Sequence, residues 1–188
     1  MRLIIDAGCN LLEGYNKLKI FESITDEDRK VFIEANPECW SYLDEYTAGI
    51  PNSRLYKNAL ATEIKNVELV TRSEHSANTA ATILGKDFLD QSLMRWNMRA
   101  EGYTTYSVET TTLFKVIVEN TDASIDNIIL KLDVEGMEYE ILNHLLNSDC
   151  PIKKIYCEFH VHCLDDERSK QALLSLAASK GVSMLPWD

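Results

Sequence analysis

No apolar run in this chain approaches the roughly 18 residues that a membrane-crossing helix needs, and no charged-then-apolar leader opens it. The expectation is a soluble, cytoplasmic protein. Clusters of basic residues are also missing: 19 Lys and Arg stand against 30 Asp and Glu, a net charge of -11. Nucleic acid and anionic membrane surfaces are therefore poor partners. The five cysteines are odd in number and contain no C-x-x-C pair. That argues against a disulfide framework and fits a reducing compartment. Internal repeats, low-complexity tracts and a domain boundary are absent too, so the 188 residues, 45% hydrophobic and 26% charged, read as one globular domain over 1–188.

What the chain does have is alternation. Apolar runs separated by stretches of helical period predict an α/β fold with a mainly parallel central sheet flanked by helices. "RLIID" (2–6) reads as a strand broken by "AGCN", and Leu11, Tyr15, Leu18 and Phe21 follow at helical spacing. "VFIEANPE" (31–38) repeats the unit, with Pro37 suited to a helix's first turn. "SRLYKNALA" (53–61) and "NVELVTR" (66–72) read as two strands around a short turn, the second an edge or hairpin strand. Residues 71–82 lack a period and read as a loop, and "KDFLDQSLMRWNMRA" carries Phe88, Leu89, Leu93 and Trp96 on one helical face. Together, 71–102 form an excursion from the sheet that is expected to face substrate. Residues 103–120 pass from strand to helix; 127–134 and 152–160 are strands; 138–147 and 166–181 are helices; "VSML" starts a last strand.

In such a sheet ligands bind beyond the carboxyl ends of the strands, and polar residues gather there. Asp6, Gly8 and Asn10 follow the first strand, Glu34 and Asn36 the second, Asp133 and Glu135 the fourth, and Glu158 and His160 the fifth, while Asn58 lies in the third. Each alone is explained equally well as a cap or turn residue; the convergence is what favours a site. Gly8 lets backbone approach a ligand, and the helix opening near Leu11 to Gly14 offers free N–H groups. An acid such as Glu34 can accept two hydrogen bonds from ribose hydroxyls. It lies 26 residues beyond Gly8 and the three-glycine pyrophosphate pattern is missing. The ligand expected is therefore a nucleoside without a phosphate pair, which S-adenosylmethionine satisfies.

The segments "IIDAGCN", "FIEANPE", "KNALA", "VETTTL", "ILKLDVEGMEYEIL" and "IYCEFH", in this order, resemble the FkbM family of S-adenosylmethionine-dependent methyltransferases. The resemblance runs from about residue 3 to about 183 and rests most on "LDVEGMEYEIL" and "VETTTL". It implies a Rossmann-like class I methyltransferase fold and methyl transfer to a hydroxyl of a sugar or other small metabolite. It further implies that Asp6, Gly8, Cys9 and Asn10 line the methionine and ribose side of the cofactor. Glu34 would hold the ribose, flanked by Ala35 and Asn36; Asn58, Ala59 and Leu60 would edge the adenine. Asp133 would stand by the transferring methyl, with Glu135 beside it. Where the family commonly has a glycine two residues after the motif's asparagine, this chain has Leu12, and the glycine is delayed to Gly14.

A hydroxyl acceptor must lose its proton, and Asp133, Glu135 and His160 are the candidate bases, with His160 nearest neutrality in its ordinary pKa. "CEFHVHC" could supply zinc ligands if the strand continued, since alternate residues share a face and lie about 6–7 Å apart. No second ligand pair accompanies it, and magnesium on Asp133, Glu135 and Glu158 is the stronger metal alternative; no metal ligand is assigned. A non-catalytic nucleoside-binding module and a magnesium-dependent enzyme using the carboxylate rim are the competing functions. The first strand starts at Arg2 and the chain stops soon after its last helix. Both ends of the fold are thus expected to be curtailed, so that a lid would come from 71–102 or from a second subunit of a homo-oligomer. The expected partner is a small-molecule or glycan acceptor.

Overall fold

The computed structural model describes residues 1–72, 81–95, 102–148, 150–160 and 164–187. Strands that are buried on both faces appear in sequence as unbroken apolar runs, and β1 (Arg2–Ala7) is one, with all residues after Arg2 buried. A loop leads to α1 (Glu13–Phe21), which turns Tyr15 and Leu18 inward. β2 (Arg29–Ile33) hands over to α2 (Pro37–Ala48) at Asn36, whose side chain accepts from the Glu38 N–H at 3.1 Å. Together with Pro37 this is a complete helix start. β3 (Ser53–Tyr56) and β4 (Ala59–Ala61) follow, then β5 (Asn66–Arg72), β6 (Ala81–Thr82) and α3 (Lys86–Arg95). β7 (Tyr103–Thr112) runs directly into α4 (Leu113–Asn120), where Thr112 caps the Lys115 N–H. β8 (Asn127–Leu132), α5 (Glu138–Leu146), β9 (Ile152–Cys157), α6 (Leu164–Ser179) and β10 (Ser183–Pro186) complete the order.

Six of these strands form a wholly parallel sheet in the order β10-β9-β8-β1-β2-β3. Successive side chains alternate between its faces. Leu3, Ile5, Val31, Leu130 and Ile155 therefore join the core that includes α4 and α5, while Ile4, Phe32, Ile129 and Tyr156 join that of α1 and α2. The architecture is α/β and Rossmann-like, as the sequence predicts. Strand order reverses between β1 and β8, and the crevice at that switch point is where the fold places a ligand.

Several boundaries differ from the sequence reading. "SRLYKNALA" is two strands in different sheets: β3 pairs with β2, but the chain leaves at Lys57 and β4 pairs with β7. β5 is no edge; it lies between β7 and β6 in a second, four-stranded sheet ordered β4-β7-β5-β6. Of the loop read over 71–82, Thr71, Arg72, Ala81 and Thr82 are strand residues; 73–80 fall outside the described residues, as does Trp96. β9 stops at Cys157, so Glu158 and His160 lie beyond the strand and do not meet through its alternation.

Candidate functional site

On the β1 and β2 side of the switch point, two loops are clasped together by one carboxylate. Glu34, just past β2 and 7% exposed, accepts the Asn10 N–H at 2.7 Å on one oxygen and the Asn36 N–H at 2.8 Å on the other. Burial pushes its pKa up against these two bonds. Each carboxylate oxygen can accept a further bond, so the group keeps acceptor capacity. The Gly8 and Cys9 N–H groups both reach the Ile33 carbonyl, at 2.9 and 3.2 Å. To make this loop, Gly8, Asn10 and Leu12 all take positive φ, 72°, 44° and 65°. Leu12, the residue that replaces the family's glycine, does so with its side chain buried and gives α1 no side-chain cap.

The reason for Gly8 is more specific than ligand approach. A Cβ there would stand 1.7 Å from the carbonyl oxygen of Asp133, so the β1 loop crosses the β8 loop where no side chain fits. Lys131, fully buried in β8, ties the crossing together. Its Nζ donates to the Gly8 carbonyl at 2.7 Å and lies 3.3 Å from Asp6 Oδ1 and 3.2 Å from Asp133 Oδ2. Burial alone would lower the pKa of this ammonium, but Asp6 and Asp133 hold it above the ordinary value. Gly14, placed where a Cβ would come 3.1 Å from Lys131 Cε, leaves room for the lysine.

On the β8 and β9 side the backbone is strained and the side chains are acidic. Glu135 adopts φ 52°, an unusual conformation for a residue with a side chain. Its carbonyl accepts the Thr82 hydroxyl at 2.8 Å, a contact reaching in from β6. Glu138, on the first turn of α5, has no exposed surface. It accepts the Val134 N–H at 3.1 Å and the Gly136 N–H at 3.1 and 3.2 Å, and stands 2.8 Å from His160 Nδ1. The other ring nitrogen, Nε2, is 3.2 Å from Glu135 Oε2 and 3.8 Å from Glu158 Oε1. Burial would lower the histidine's pKa, but the bond to Glu138 and the charges of Glu138, Glu135 and Asp133 raise it to about 9. Burial raises Glu135 to about 7 despite the pull of His160. Glu135 Oε2 is buried without a hydrogen bond, so its approach to Nε2 is a contact between charges.

Of the residues read from sequence, the structure brings Asp6, Gly8, Asn10, Glu34 and Asn36 to one half of the crevice and Asp133, Glu135, Glu158 and His160 to the other. Cys9 is buried in the α1 and α2 core. Ala59 and Leu60 are buried in β4, while Asn58 is half-buried and donates to the Glu109 carbonyl at 3.1 Å. Ala35 packs against the core of the second sheet. Asp133, Glu158 and His160 offer ligand atoms within 4.8 Å of one another. Both ring nitrogens of His160 already face carboxylates, however, and Lys131 already accompanies Asp133. They are accordingly not assigned as metal ligands; His162 and Cys163 lie outside the described residues. A separate cleft of about 330 Å³ lies between β4, α4 and α5, lined by Leu113, Phe114, Ile141 and His144.

Two site residues escaped the sequence reading. Lys131 is the one charge inside "NIILKL", and a lysine on a strand buried on both faces signals a buried partner. Glu138 reads as an ordinary acid favoured in a helix's first turn, and nothing in its spacing announces His160.

Residues 14–176 match the Methyltransferase FkbM domain. β1 and Asp6 to Asn10 precede the matched stretch, which is narrower than the resemblance traced from the motifs. No curated protein and no solved structure matches the chain. No helix among the described residues is long and apolar enough to cross a membrane. With the match covering most of its length and the sheet order as required, the chain belongs to the FkbM methyltransferase family.

Proposed function

We propose that the methyl donor is S-adenosylmethionine and that the acceptor is a hydroxyl on a sugar, glycan or other small metabolite. The reading is carried by Glu34: an acid at the end of β2, ordered by the Asn10 and Asn36 N–H groups and retaining acceptor capacity, is the arrangement that grips vicinal ribose hydroxyls. When bound, S-adenosylmethionine supplies an electrophilic methyl. The chain's own part is to hold donor and acceptor in line, which is worth several kcal/mol, and to take the acceptor's proton. As the S–CH3 bond breaks and the O–CH3 bond forms, that proton passes to the Glu135–His160 pair. A carboxyl lifted to about 7 is suited to this at neutral pH. Asp133, paired with Lys131, flanks the same end of β8.

The excursion supports an acceptor wall: a Cβ on Gly136 would strike Phe88 Cζ at 2.3 Å and Leu84 Cδ1 at 2.6 Å, so both side chains lie against the acidic turn. Free thiols on buried Cys9, Cys39 and Cys157 agree with a cytoplasmic setting.

Calorimetric titration with S-adenosylmethionine and S-adenosylhomocysteine tests the donor. Wild-type protein is expected to release heat and melt higher with either, and Glu34→Ala, checked for folding by circular dichroism, to bind at least tenfold more weakly. Neither heat nor a melting shift with either ligand would overturn the reading.

A further inference from the structure

The sheet brings His160 between two carboxylates of different kinds. Glu138 is without exposed surface and is pinned by the Val134 and Gly136 N–H groups, whereas Glu135 is on the strained turn at the crevice. A buried carboxylate that accepts backbone bonds and sits 2.8 Å from Nδ1 offers that nitrogen an acceptor and no donor. Nδ1 must therefore carry a hydrogen whether or not the ring is charged. We propose that Glu138 is the positioning residue of this site: it fixes a proton on Nδ1 of His160, so that the only exchangeable ring proton is the one on Nε2, facing Glu135. The imidazole is thereby given a direction, with one nitrogen anchored to α5 and the other opening on the place where the acceptor's proton arrives.

Several other groups surround the ring. Asp133 and Glu158 add negative charge from the ends of β8 and β9, and Lys131 is shared by Asp6 and Asp133. Lys170 of α6 lies over Phe159, with Nζ 5.4 Å from the ring centre. None of these groups touches Nδ1 in the way Glu138 does. The two backbone donors also explain why charge at position 138 matters. In Glu138→Gln the amide oxygen belongs where the Val134 and Gly136 N–H groups converge, on the atom that also faces Nδ1, so the acceptor stays and only the charge is lost.

This inference rests on the reading of the Glu135–His160 pair as the proton acceptor, but its test needs neither donor nor acceptor molecule. Long-range proton–nitrogen correlation spectra of protein labelled with ¹⁵N-histidine report which ring nitrogens carry hydrogen, and His160→Gln assigns the signals. From pH 6 to 10 the wild-type ring is expected to lose its proton from Nε2 and end as the Nδ1–H tautomer, the minority form of free histidine. Glu138→Gln is expected to titrate at least tenfold more readily while still ending as Nδ1–H, and Glu138→Leu, which offers Nδ1 no acceptor, to end as Nε2–H. A neutral wild-type ring carrying its hydrogen on Nε2 would overturn the proposal, as would a Glu138→Leu ring that still ends as Nδ1–H. Should Glu138→Leu not fold, the wild-type tautomer alone decides. Loss of S-adenosylhomocysteine binding in the wild type would instead count against the donor reading and leave the tautomer result standing.

Discussion

The two halves of the crevice are built on opposite plans. At β1 and β2, backbone N–H groups from two loops close on Glu34 and on the Ile33 carbonyl, while Asn36 Nδ2 is buried without a hydrogen bond. At β8 and β9, three glutamates surround one histidine, a backbone turn is held at positive φ, and Glu135 and His160 are raised to about 7 and about 9. The difference separates holding from transferring. A half that only grips a ligand gains from a fixed backbone with spare bonding capacity, whereas a half that must accept a proton gains from sites whose charge can change. Lys131 is the hinge between them, since it touches Gly8 and Asp6 on one side and Asp133 on the other.

The strongest way to break the comparison is to remove that hinge. Lys131→Met is expected to destabilise the fold by about 3–5 kcal/mol, because it leaves two carboxylates facing each other, Asp6 wholly buried. Chemical denaturation read by fluorescence measures it, and a loss below about 1 kcal/mol would mean that the halves are independent. A smaller effect comes from pH. His160 is raised from 6.5 to about 9, so its contribution is full below 6.5 and lost as pH climbs through 9. Glu135, raised from 4.5 to about 7, also favours the protonated fold, so its contribution fades between those values. Melting temperature is therefore expected to fall from pH 6.5 to 9.5 by the equivalent of at most about 3 kcal/mol, and to fall less in His160→Gln; parallel curves would place the titration elsewhere. The smallest effect is local. Gly136→Ala, with φ 113° and Phe88 in the way, is expected to cost about 2 kcal/mol. Because Phe88 and Leu84 are side chains that can yield, S-adenosylhomocysteine affinity should stay within about twofold in calorimetry; a tenfold loss would couple the two halves.

Much of the fold was legible because the parallel strands are apolar throughout and their helices begin with clear signals, as at Asn36-Pro37. The second sheet was not. "SRLYKNALA" keeps one apolar rhythm across Lys57 and Asn58, although β3 and β4 bury their residues in different sheets. β5 finds β7 across thirty intervening residues, which local pattern cannot encode. The rim was legible as a set of strand ends, but not its wiring. Gly8 looked like a place for a ligand and proves to be a place for the Asp133 carbonyl, a contact between segments 125 residues apart. Glu138 was hidden because a first-turn acid has an ordinary reason to be there.

Strand order also sets the timing of assembly. β1 pairs with β2 on one side but with β8 on the other, in a register that joins Arg2 to Asn127. During synthesis its second edge stays uncovered until more than a hundred further residues have emerged. Pairings this distant in sequence form slowly and leave a strand edge open to wrong partners meanwhile. The central position that makes β1 the floor of the crevice makes it one of the last strands to be enclosed, so the same placement that builds the site should govern how fast the chain folds.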